Sequence, residues 1–64
     1  MKSFYKALLL KGKSVEWLAK KLDVTHQTVY AWKLGKVKPK VEHLKEISKL
    51  LNVPMETLIN DYYL

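Results

Sequence analysis

The 64-residue sequence has no cysteine and no arginine, and only two glycines and two prolines. Without cysteine there is neither a disulfide framework nor a thiolate zinc site, and a reducing compartment poses no difficulty. Long apolar runs are missing too. The aliphatic stretch Ala7-Leu8-Leu9-Leu10 falls far short of the ~20 residues that a membrane span needs. It is also shorter than a secretory signal core, and no small-residue cleavage site follows it. The expectation is a soluble intracellular protein. Length excludes more: a chain of ~60 residues hides only about 60% of its unfolded surface. That allows one domain, residues 1–64, with one core, and an enclosed catalytic cavity would compete for it.

What the chain does have is lysine. Twelve lysines against six acids give a net charge of +6 at pH 7, and the excess is unevenly placed. Residues 1–40 carry ten lysines against Glu16 and Asp23, a net +8, whereas residues 41–64 carry two against four acids, a net −2. One end thus presents the positive field expected of a phosphate-backbone or anionic-membrane partner. A merely solubilising lysine surface would give the same totals.

Apolar spacings of three and four dominate, and no repeat, low-complexity tract or linker interrupts them, so the chain reads as all-α with five helices. The first is expected over residues 4–11, with Ser3 as N-cap and Phe4, Ala7 and Leu8 inward. Gly12-Lys13 breaks it. Ser14 caps a second, 15–22, which buries Val15, Leu18, Ala19 and Leu22. Asp23 then falls where a left-handed residue is often needed. Thr25 caps a third, 26–34, in which only Val29 and Trp32 form an inward pair; Gly35 ends it. A basic connector, Lys36-Val37-Lys38-Pro39-Lys40, leads to a fourth over 41–51, with Val41, Leu44, Ile47, Ser48 and Leu51 inward. Pro54 suits the first position of a last short helix to about residue 60, with Met55, Leu58 and Ile59 packing. Asp61-Tyr62-Tyr63-Leu64 reads as a tail or a final half-turn.

Residues 14–35 thus form two short helices joined by a tight turn, and the second has an outer face that is polar yet uncharged. Such a pair can lie with one helix across a sugar-phosphate backbone and the other in the major groove. The run from Ser14-Val15-Glu16-Trp17-Leu18-Ala19 to Trp32-Lys33-Leu34-Gly35-Lys36 resembles the Cro/Xre-type helix-turn-helix of lambdoid phage repressors and many bacterial regulators. The downstream pattern from Leu44 to Val53, followed by Glu56 and Leu58, is similar to that family as well. The resemblance covers about Phe4 to Ile59 and implies a five-helix lambda-repressor-like domain that binds double-stranded DNA. Two departures stand out. A Gln often opens the second helix in the family, where this chain has Val15. An Arg of the first helix often pairs with a Glu after the recognition-helix aromatic, where this chain has Leu8 and Lys33.

By that resemblance His26, Gln27 and Ala31 match base-reading positions, with Tyr30 beside them. Gln27 can bind adenine N6 and N7, and Ala31 can meet a thymine methyl. His26 could donate to guanine or phosphate, or simply cover the helix start. Tyr30 could pack over its own helix or use ring and hydroxyl on DNA. Phosphate contacts are expected from Lys13, Ser14, Thr25, Thr28, Lys33, Lys36, Lys38 and Lys40. Trp32 is expected in the core; Trp17, off the stripe of its helix, is expected partly exposed or packed on a neighbouring helix. Since the chain has no arginine, the commonest base contact, Arg to guanine, is ruled out, and specificity must use other side chains or DNA shape.

The leading functional expectation is a sequence-specific transcriptional regulator, a small repressor or Cro-like switch. It would act in the cytoplasm or nucleoid of a bacterium, or be encoded by a phage. One recognition helix reads only a few base pairs, so a homodimer on an inverted repeat is expected. Leu58, Ile59, Tyr62, Tyr63 and Leu64, in the half that is not basic, are the candidates for its interface. The alternative is a protein-interaction module, such as an antitoxin or anti-repressor, with DNA binding secondary. An enzyme is discounted, because no Ser/His/Asp or paired-carboxylate grouping shares a face. No cofactor or small-molecule ligand is implied, and His26 and His43, on different helices without acidic company, make a metal site unexpected.

Overall fold

Five helices and no strand make up the fold in a computed structural model that describes all 64 residues: α1 (Ser3–Leu10), α2 (Val15–Leu22), α3 (His26–Lys33), α4 (Val41–Leu51) and α5 (Met55–Tyr63). The all-α expectation holds. No helix is long and apolar enough to cross a membrane.

The chain turns four times by one device. After α1, α2, α3 and α4 a single residue adopts the left-handed conformation: Gly12, Asp23, Gly35 and Asn52. In each case the next amide reaches back five residues: Lys13 to Leu8, Val24 to Ala19, Lys36 to Ala31 and Val53 to Ser48. These bonds satisfy carbonyls that a helix end leaves open. Gly occupies this conformation without strain, and Asp and Asn are among the few other residues that tolerate it.

One core joins all five helices. Phe4 and Leu8 from α1, Leu18 from α2, Val29 from α3, Leu44 and Ile47 from α4 and Leu58 from α5 are wholly buried. Val15, Ala19, Leu22, Trp32, Leu51, Val53 and Tyr62 complete it. α2 packs chiefly on α3, while α4 and α1 hold α5.

Several details depart from the sequence reading. Ser3 is the first residue of α1 and not its cap. The Asp61 carboxylate, from α5, accepts the Ser3 N–H at 2.7 Å, and a negative charge at a helix start is favourable. α3 ends at Lys33, one residue early. Val41, expected inward, is 45% exposed, because it opens α4 above the core, where Pro39 is buried instead. Pro54 flanks α5 and is not part of it. α5 runs three residues further than expected, through Asp61, Tyr62 and Tyr63. Those three hold it by contacts to distant parts of the chain. Tyr62 donates to the Trp32 carbonyl at 2.8 Å, Tyr63 to the Pro39 carbonyl at 2.7 Å, and Lys2 to the Asp61 carbonyl at 2.6 Å. Burial, with the Asp61 carboxylate adding to it, pushes the Tyr62 hydroxyl above its ordinary pKa, so it stays a donor.

Two of the five residues expected at a dimer interface therefore belong to the core. Leu58 is fully buried and Tyr62 is 7% exposed. Leu58 lies on the inward stripe of α5, and Tyr62 one turn later extends that stripe. Ile59 is half-buried, while Tyr63 and Leu64 remain exposed.

Candidate nucleic-acid interface

The α2–turn–α3 unit is built by short-range bonds. The Ser14 hydroxyl accepts the Trp17 N–H at 3.1 Å, which starts α2 where the sequence places it. The Thr25 hydroxyl accepts the Thr28 N–H at 3.3 Å and lies 3.0 Å from the Thr28 hydroxyl. Side-chain acceptors of this kind satisfy amides with no helical partner. Between them the left-handed Asp23 turns the chain, and half-buried Val24 packs against the core.

This framework leaves one face of α3 open. Val29 and Trp32 point into the core, and His26, Gln27 and Tyr30 are exposed with Ala31 half-buried beside them. Edge-on packing of the His26 and Tyr30 rings, with centroids 6.1 Å apart, orders the start of the face. His26 and Gln27 have no hydrogen bond within the chain through their side chains, and Gln27 presents an amide able to give and take one bond each. Trp32 lies in the core, as its spacing predicts, and its ring meets that of the half-buried His43 of α4 at a tilt of 43°, with centroids 5.2 Å apart.

Lysines surround the open face. Lys36, Lys38 and Lys40 line the connector after α3, all exposed, and Lys13 stands exposed before α2. Several ammonium groups rest on aromatic rings: Lys13 and Lys21 at 5.3 and 5.8 Å from Trp17, and Lys38 at 5.1 Å from Tyr63. Ring faces attract cations and reduce the freedom a long side chain loses on binding. Trp17 is half-buried and packed against the core, as expected. Lys33 behaves differently. Its ammonium folds back 4.2 Å from the Tyr5 ring of α1 and 5.8 Å from the Tyr30 ring. With Leu8 buried where an arginine would stand, this cation–π contact ties α3 to α1 without an ion pair.

Sequence reasoning missed Glu16. It is exposed on the first turn of α2, and its Oε2 lies 3.5 Å from the Tyr30 hydroxyl, at the outer limit of a hydrogen bond. A shallow groove runs between α2 and the start of α3, lined among others by Glu16, Asp23, Thr25, His26 and Gln27. Only the distance between positions 16 and 30 hid this pairing, since both lie on predicted helices. No three histidine, cysteine, aspartate or glutamate side chains are placed so that they could hold a metal ion together.

A polar, uncharged helix face framed by lysines and set on a capped two-helix unit is suited to base edges flanked by phosphates. Comparison with known proteins agrees. A helix-turn-helix family model, HTH_3, matches residues 4–58, while searches of curated proteins and of solved structures found no significant match. The match runs from Phe4 in α1 to Leu58 in α5 and contains the whole α2–α3 unit. The chain belongs to the Cro/C1-type helix-turn-helix family of DNA-binding domains.

Proposed function

We propose that this protein is a sequence-specific regulator of transcription, a small repressor or Cro-like switch, that sets α3 in the major groove of an operator. The observation that carries the reading is the open face of α3, where His26, Gln27 and Tyr30 are exposed between lysine-bearing segments. Gln27 reads adenine and Ala31 meets a thymine methyl. His26 donates to a base or phosphate acceptor. Lys13, Lys36, Lys38 and Lys40 grip phosphates, joined by the Ser14, Thr25 and Thr28 segments at the two helix starts. Lys33 serves the fold first, through Tyr5, and reaches phosphate only by leaving that ring.

The protein binds as a homodimer on an inverted repeat, since one α3 covers too few base pairs for useful affinity. With Leu58 and Tyr62 committed to the core, half-buried Ile59 and exposed Tyr63 and Leu64 remain as contact residues. A regulator of this kind works in the cytoplasm or nucleoid. The interaction-module alternative drew on exposed C-terminal aromatics, and it weakens as Tyr62 is buried.

Selection from a randomised duplex library tests the reading. An inverted repeat with half-sites about one helical turn apart is the expected product. Salt-sensitive binding with no enriched sequence would refute it.

A further inference from the structure

The chain lacks arginine, so it lacks the usual means of recognising a G·C pair from its guanine side. The same pair can be read from the other side. Cytosine alone presents a major-groove edge with a donor, N4, and no acceptor; adenine sets N7 next to its amine, and guanine and thymine offer acceptors. A carboxylate, which only accepts, suits cytosine best: at adenine the N7 lone pair opposes it beside the amine, and guanine and thymine repel it.

We propose that Glu16, although on α2, is a specificity-determining residue that accepts a hydrogen bond from cytosine N4 at one position of each half-site. Three observations carry this. Glu16 is exposed on the side of α2 that faces α3, where its Oε2 lies 3.5 Å from the Tyr30 hydroxyl. Tyr30 in turn meets the His26 ring, so carboxylate, phenol and imidazole form one row beside Gln27. The groove that Glu16 lines is the one that His26 and Gln27 line. The Tyr30 hydroxyl engages one carboxylate oxygen and leaves the second open. A carboxylate held among phosphates lowers affinity for any sequence that does not offer it an amine, which adds discrimination without adding attraction.

The inference rests on the DNA-reading function proposed above, and one experiment separates the two. The full chain and its Glu16→Ala, Glu16→Gln and Tyr30→Phe variants are each put through selection on the same randomised library, after circular dichroism confirms that all fold. The wild type should enrich a site with one strongly preferred cytosine per half-site. Glu16→Ala should flatten that position alone, by about 5- to 150-fold in preference, the equivalent of one good base contact. Glu16→Gln should shift the position towards adenine, since an amide gives and accepts a bond together. Tyr30→Phe should weaken the same position in part. A Glu16→Ala profile identical to the wild type, even with tighter binding overall, would overturn the inference and leave the regulator intact. A wild type that enriches nothing would overturn both.

Discussion

Helices α3 and α5 are near equals in size, eight and nine residues, and each buries two side chains: Val29 and Trp32 in one, Leu58 and Tyr62 in the other. They differ in what their polar groups do. In α5 the Asp61 carboxylate holds the first amide of α1, and the Tyr62 and Tyr63 hydroxyls hold carbonyls of Trp32 and Pro39. In α3 the His26 and Gln27 side chains make no hydrogen bond inside the molecule. One helix is committed to the fold by its polar atoms, and the other keeps those of His26 and Gln27 free. A binding face is thus recognised less by which residues it contains than by which of them are without internal work.

The largest effect should come from breaking the committed helix. Leu58→Ala removes a fully buried side chain and should cost about 2–5 kcal/mol of stability, seen in urea unfolding. DNA binding should be lost only as the protein unfolds. On the open helix the pattern should invert. Gln27→Ala should leave unfolding within about 0.5 kcal/mol of the wild type, yet cost about 1–3 kcal/mol on the cognate site and nothing on random DNA, measured by competition binding. A smaller effect is expected at the α5–α1 junction. Asp61→Ala leaves the Ser3 amide without its carboxylate and should destabilise the fold by about 1 kcal/mol, with operator preference unchanged. Mildest should be Lys38→Ala, which weakens all sequences alike and lowers the slope of log affinity against log salt by about one. Equal losses for Gln27→Ala and Lys38→Ala on every sequence would erase the distinction between reading and gripping.

The same contrast explains what could be read in advance. The α2–α3 unit was legible because its determinants are local: Ser14 and Thr25 cap their own helices, and Asp23 and Gly35 end them. The exposed row of His26, Gln27 and Tyr30 followed from the helical period around Val29 and Trp32. The far end was not legible in the same way. Asp61 reaches Ser3 across 58 positions, and Tyr62 reaches Trp32 across 30. Tyr62 falls one turn after Leu58 on the same stripe, but the polar partners that hold Asp61, Tyr62 and Tyr63 are visible only once the chain has folded. The ring contact of Lys33 was hidden for a like reason, since its partner Tyr5 lies in another helix.

The bond from Tyr62 to Trp32 also orders events in time. Emerging from the ribosome, α3 precedes the tyrosine that fastens its end by 30 residues, and the Phe4, Leu8 and Leu58 layer beneath it is incomplete until then. A nascent chain that has released α3 has therefore not yet secured it, and the helix is fully fastened only once α5 has joined the core.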